Sequence, residues 1–119
     1  MQIESSIFKE VIGAMVKTDK PKVFIYKENN SLQKHSDGLE LVYSCSNADV
    51  VVVSTLKNLP DLCFDKIIFG TKYSHLKDSR VVGAFFWQKG RPNILFYKDR
   101  LDKNDIKLDS SFDKYIEKR

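Results

Sequence analysis

Few side chains in this sequence are equipped for covalent or metal chemistry, and their spacing narrows what they can do. Cys45 and Cys63 are the two cysteines, and His35 and His75 the two histidines. Together they match no standard zinc-ligand spacing, so no metal site is expected. His75 follows Ser74, with Asp78 nearby, yet no Gly-x-Ser-x-Gly elbow is present. Adjacency in sequence does not aim an imidazole at a hydroxyl, so these residues read as solvated loop positions rather than hydrolase parts. The glycines build neither a phosphate loop nor a dinucleotide fingerprint, and no pair of carboxylates stands at a catalytic spacing. No catalytic residue and no cofactor is assigned.

The cysteines precede two runs that read as strands, and in a parallel sheet two such strand starts share an edge. A disulfide between Cys45 and Cys63 is then geometrically conceivable, would contribute about 3 kcal/mol in the chain-entropy model, and would persist in an oxidising compartment. The other reading is a pair of semi-buried reduced thiols in a cytoplasmic protein. Both stay open at this stage.

Two binding candidates remain. Val81 to Tyr97, VVGAFFWQKGRPNILFY, holds two apolar runs separated by Lys89-Gly90-Arg91-Pro92. It reads as an antiparallel hairpin, with Gly90 supplying a positive φ and Pro92 at the turn or strand start. Trp87, Lys89 and Arg91 at its tip offer a cationic, aromatic protein-binding spot, since Trp and Arg are favoured in such spots. The bland reading has Arg91 over the Trp87 ring, stiffening the turn. The second candidate is the carboxyl end of the parallel strands, where open α/β sheets place ligands. There Asn30, Ser54, Thr71, Lys72 and Ser74 would suit a small anion.

The elements that position these residues follow from periodicity. Phe8, Val11, Ile12, Met15 and Val16 share one helical face, with Ser5 and Ser6 as N-cap candidates and an end near Lys17. Lys22 to Lys27 reads as a strand, Asn30 to Ser36 as a short helical piece, and Leu39 to about Tyr43 as a second strand that ends early, leaving room for one helical turn. Val50 to Val53 is a β-branched run suited to burial on both faces, and Lys66 to Gly70 repeats that character. A helical turn over Thr71 to Lys77 precedes the hairpin, and Ser110 with Asp113 opens a final helix carrying Phe112, Tyr115 and Ile116. On the hairpin, Phe86 and Phe96 are expected to serve one core face, with Phe85 and Leu95 on the other. The 119 residues therefore form a single three-layer α/β domain, with a mixed, mostly parallel sheet, a C-terminal antiparallel hairpin and flanking helices.

Composition bounds the function classes. The net charge of +4 is scattered, which argues against nucleic acid as a partner. No apolar run approaches the roughly 20 residues of a membrane span, so no direct membrane insertion is expected. Met1-Gln2 leads into the helical pattern without a signal peptide, which fits a cytoplasmic protein or an exported one separated from its leader.

Over roughly Ile7 to Ile116 the layout resembles the small periplasmic YfiR-type regulators. The features that carry it are the first helix, VFIYK, a cysteine and Ala48-Asp49 before the valine strand, a strand ending Gly70-Thr71, and GAFFW, GRPNILFY and IKLDSSF toward the end. The sequence departs from that family in placing Cys45 four positions before the acidic Asp49, and Tyr97-Lys98-Asp99-Arg100 where the family has an asparagine motif. The resemblance implies an exported, non-enzymatic sensory module that binds and restrains a membrane-anchored signalling protein, such as a diguanylate cyclase or sensor kinase. The shape also resembles one lobe of a periplasmic solute-binding protein, which would bind a small anion at the strand-end loops. A homodimer is compatible with either.

Overall fold

The computed structural model describes residues 2–27 and 39–117. The helical piece expected over Asn30 to Ser36, and with it the candidate Asn30, lies outside the described residues. Helix α1 spans Gln2–Met15 and is followed by β1 (Lys22–Tyr26), β2 (Glu40–Val42), β3 (Val50–Val53), β4 (Ile67–Gly70), β5 (Val81–Gln88), β6 (Arg91–Tyr97), α2 (Lys98–Lys103) and β7 (Ile116–Glu117). Single 3-10 turns fill the connections at Cys45–Asn47, Asp61–Asp65, Tyr73–Lys77 and Ser110–Tyr115. The strands form one seven-stranded sheet in the order β2-β1-β3-β4-β5-β6-β7. Among the described residues only the β5–β6 pairing is antiparallel. This is the α/β domain expected, with its mostly parallel sheet and its hairpin near the end.

All four valines of β3 are buried, and their side chains alternate between two cores. Val50 and Val52 join Phe8, Val11, Ile12 and Met15 of α1, together with Phe69, Phe85 and Phe96. Phe8 anchors this side, its ring meeting Phe69 at 5.9 Å and Phe85 at 5.1 Å in edge-on contacts. Val51 and Val53 face Cys45, Leu59, Cys63, Ile68, Leu76 and Phe86 instead. That second face is covered not by long helices but by the 3-10 turns. A disulfide between Cys45 and Cys63 ties two of those turns, with the Cα atoms 5.1 Å apart, inside the range such a bridge needs. The oxidised alternative for the two thiols is therefore the one realised.

Four details differ from the sequence expectations. Helix α1 begins at Gln2, so Ser5 and Ser6 lie within it and do not cap it. Nothing in Gln2-Ile3-Glu4 opposes a helix, so the chain is already wound before the serines. The final helix is a 3-10 turn opened by Asp109, whose carboxylate accepts from the Ser111 N–H. Ile116 leaves it to pair with Phe96 as strand β7, and the residues ahead of it, Lys98–Lys103, form the unanticipated α2. Lastly, Phe85 and Phe96 share the α1 side, while Phe86 and Leu95 share the other.

The register explains that exchange. A two-residue loop, Lys89-Gly90, makes Gln88 face Arg91, so every cross-strand pair joins an odd with an even position, as in Gly83↔Phe96 and Ala84↔Leu95. Two even positions such as Phe86 and Phe96 then point to opposite faces. Lys89 and Gly90 both have positive φ, 52° and 75°, the backbone that lets a two-residue turn follow the strand twist. Upstream, an irregularity in the β4–β5 ladder lets Ile68 face Val81 while the next residue, Phe69, faces Gly83. The extra residue, Val82, turns to the α1 side, and Val81 and Ala84 both reach the other. Gly83 leaves the space Phe96 needs, because a Cβ there would lie 2.5 Å from the Phe96 ring.

Two outcomes test this packing. Val52→Asp, placing an unpaired charge among fully buried neighbours, should yield no soluble folded protein, since the penalty of several kcal/mol compares with a whole-domain stability of about 5 to 15. A soluble variant with the wild-type melting temperature would remove Val52 from the core. Replacing Cys45 and Cys63 together by serine should lower stability by about 3 kcal/mol in urea unfolding, and an unchanged midpoint would mean the bridge holds nothing that the turns do not hold alone.

Candidate functional site

Strands β1 to β5 all start at one pole of the sheet and end at the other, so the described strand-end candidates, Ser54, Thr71, Lys72 and Ser74, lie on one side. Their donors, however, are largely committed. The Thr71 hydroxyl donates to the Val53 carbonyl at 2.8 Å, and the Thr71 N–H donates to Nδ1 of His75 at 3.0 Å. Ser54 continues the β1–β3 ladder through its N–H to the Tyr26 carbonyl at 3.1 Å. Lys72 and Ser74 are exposed, Lys72 just ahead of the Tyr73–Lys77 turn and Ser74 within it.

His75 is a correction. Expected as a solvated loop residue, it is 6% exposed and works as a structural acceptor that closes the chain after β4. It can do so because Gly70 has no side chain: a Cβ there would fall 2.7 Å from the His75 Cβ. Burial, with Lys72 adding like-charge repulsion, holds the imidazole pKa below its ordinary value, and the neutral ring keeps Nδ1 free to accept. Among the described residues no three His, Cys, Asp or Glu side chains stand close enough to hold a metal ion.

The hairpin tip is exposed as expected, but its parts separate. Trp87 is 45% exposed and its ring meets Phe85 at 5.8 Å on the same face of the strand. Arg91 sits opposite Gln88, and the alternation of side chains puts it on the other face. Arg91 therefore does not cover the Trp87 ring. The stacked pairs involve other residues, among them Arg80 over Phe64 at 3.5 Å and Arg100 over Tyr97 at 4.4 Å. Arg100 was not anticipated as buried; its Nη1–H donates to the Val81 carbonyl at 2.9 Å and fixes α2 against the start of β5.

Trp87 and Lys72, proposed from sequence for different sites, line one groove. Thr71, Lys72, Tyr73, Phe86, Trp87 and Gln88 enclose an open volume of about 360 Å³. It exists because β4 stops at Gly70, opposite Ala84, while β5 runs on to Gln88. Tyr73, 55% exposed, packs edge-on against Phe86 at 5.4 Å and lines the groove together with Trp87. Phe86 and Trp87 point to opposite faces of β5, so a groove touching both runs along the strand edge. Tyr73, Phe86 and Gln88 were missed as site residues. An exposed-ring signal existed only for Tyr73, an aromatic amid Thr71, Lys72 and Ser74.

No helix of the described residues is long and apolar enough to cross a membrane. The disulfide is compatible with an oxidising, extracytoplasmic location. No family model and no curated protein matches the chain. Its fold is similar to that of a conserved domain protein from Vibrio cholerae O1 biovar eltor, with a TM-score of 0.61 at 10% identity over 96% of this chain. The chain spans 59% of that protein's length, and the likeness is one of fold.

His75 predicts a pH dependence. Its folded-state pKa lies below the ordinary 6.5, so the unfolded chain takes up the proton more readily. The stability His75 contributes is full above about pH 6.5 and is lost as pH falls below that value. His75→Asn retains an acceptor for the Thr71 N–H without a titrating ring. Its unfolding midpoint should fall less than that of the wild type between about pH 7 and 5; parallel losses would place the acid-sensitive group elsewhere.

Proposed function

We propose that this protein is a non-enzymatic, periplasmic binding or sensory module that regulates a membrane-anchored signalling protein, of the diguanylate cyclase or sensor kinase kind, by protein-protein contact. The observation that carries the reading is the pair of half-exposed aromatic side chains, Trp87 and Tyr73, that line one open groove together with Lys72. Large rings left in water beside a cation are what protein-binding hot spots are made of. The disulfide supports a place outside the cytoplasm. The layout resemblance to the YfiR-type regulators supports the partner class.

The alternative, a one-lobe solute-binding domain taking a small anion at the strand ends, draws less support. An anion needs donors, and both donors of Thr71 already serve Val53 and His75. Lys72 would have to act almost alone, as a solvated point charge.

Site-specific photocrosslinking tests the reading. A benzophenone amino acid in place of Tyr73, in protein expressed in its native cells, should capture a membrane-fraction protein. Combining Trp87→Ala with Lys89→Ala should weaken that capture about 10-fold or more, while the melting temperature stays within a few degrees. Crosslinks confined to copies of this chain would replace the regulator reading by self-association, and full capture by the double variant would remove the hairpin tip from the contact.

A further inference from the structure

The groove is also a sheet edge. With Gln88 opposite Arg91 closing the two-residue turn, the pairs 88↔91 and 86↔93 exchange hydrogen bonds across the hairpin, and Trp87↔Pro92 and Phe85↔Ile94 do not. The backbone groups of Phe85 and Trp87 consequently point away from β6, toward the side where β4 lies. β4 reaches only as far as Ala84, and the chain then turns off, with the Lys72 carbonyl accepting from the His75 N–H at 3.1 Å. Beyond that point the Phe85 carbonyl and both Trp87 backbone groups have no strand partner among the described residues.

The two outer edges of the hairpin tip are not alike. On β6 the outward-pointing position opposite Trp87 is Pro92, which has no N–H to offer, so that edge is blunted against strand addition. The β5 edge carries no such block, and it forms the floor of a groove walled by Tyr73 and Trp87. Open backbone groups beneath aromatic walls are the makings of strand addition, in which main-chain bonds hold an extended peptide and side pockets select it.

Charge narrows the occupant. None of the six groove-lining residues is acidic, Lys72 is among them, and Lys89 follows directly after Gln88. A second copy of this chain would bring its own Lys72 and Lys89 against the same pair, which disfavours edge-to-edge dimers. We infer that the Phe85–Gln88 edge of β5 receives an extended, acidic segment of a partner polypeptide as an added strand, with alternate apolar side chains against Tyr73 on one face of the sheet and Trp87 on the other. The inference rests on the binding-module reading and specifies how that site takes hold.

The probe is a synthetic peptide of valine, tyrosine and valine flanked on each side by two glutamates, compared with the same peptide carrying lysines for glutamates. The acidic peptide should bind, slow hydrogen exchange of the Trp87 amide about 10-fold or more at saturation, and bind about 10-fold more tightly than the lysine version. N-methylation of the central tyrosine and N-methylation of the two valines should differ, one register abolishing binding and the other sparing it. Trp87→Pro removes the N–H aimed into the groove without removing a hairpin bond and should abolish binding, whereas Trp87→Ala keeps that N–H and should retain the slowed exchange with weaker affinity. Absence of binding or of Trp87 amide protection, equal binding by both methylated peptides, or preference for the lysine peptide would each overturn the inference. Should Trp87→Pro fail to fold, the methylated peptides decide the matter on wild-type protein. Crosslinking from position 73 to a membrane protein, alongside failure of the peptide arm, would sink strand addition and leave the binding-module reading standing.

Discussion

Val50 to Val53 are buried on both faces, and a strand so placed obliges a short chain to build two covers. One is α1, whose Phe8, Val11, Ile12 and Met15 fill a helical stripe over the sheet. The other is assembled from connections that form only single 3-10 turns, contributing apolar side chains such as Cys45, Cys63 and Leu76. Single turns have little cohesion of their own. The disulfide holds two of them together, and the bond from Thr71 to His75 holds the third. This thin second layer is thus fastened both covalently and by a polar contact.

Fastening the third turn shapes the site. Because His75 must sit over Gly70 to accept from Thr71, the chain leaves β4 abruptly, and β5 continues without its neighbour. A groove appears where a longer β4 would have filled the edge. Its aromatic walls come from the residue after the departure, Tyr73, and from the unaccompanied part of β5. Core architecture and candidate site thus share one cause.

Legibility in the sequence tracked how local each determinant is. The valine strand, the hairpin with its Gly90 turn and the early end of β2 follow from residue type and spacing over a few positions. Which phenylalanine faces which core does not, because it depends on the parity imposed by Lys89-Gly90 and on the irregularity at Val82, where one residue reverses every later side chain. α2 and β7 are too short to show a period. The binding candidates were identifiable one at a time, Trp87 from its place at the tip and Lys72 from the strand-end rule. Their meeting in one groove depends on the unequal lengths of β4 and β5, and the burial of His75 on a backbone approach that only Gly70 permits.

Cys45 and Cys63 lie ahead of β3 and β4, whereas Thr71, Lys72 and Tyr73 lie beyond the end of β4. The covalent tie and the groove therefore occupy opposite poles, separated by strands of four residues, about 13 Å long. Such a division lets the two ends diverge independently. Loops at the groove pole can lengthen, shorten or change charge over evolutionary time to suit a new partner, while the tied pole keeps the sheet assembled.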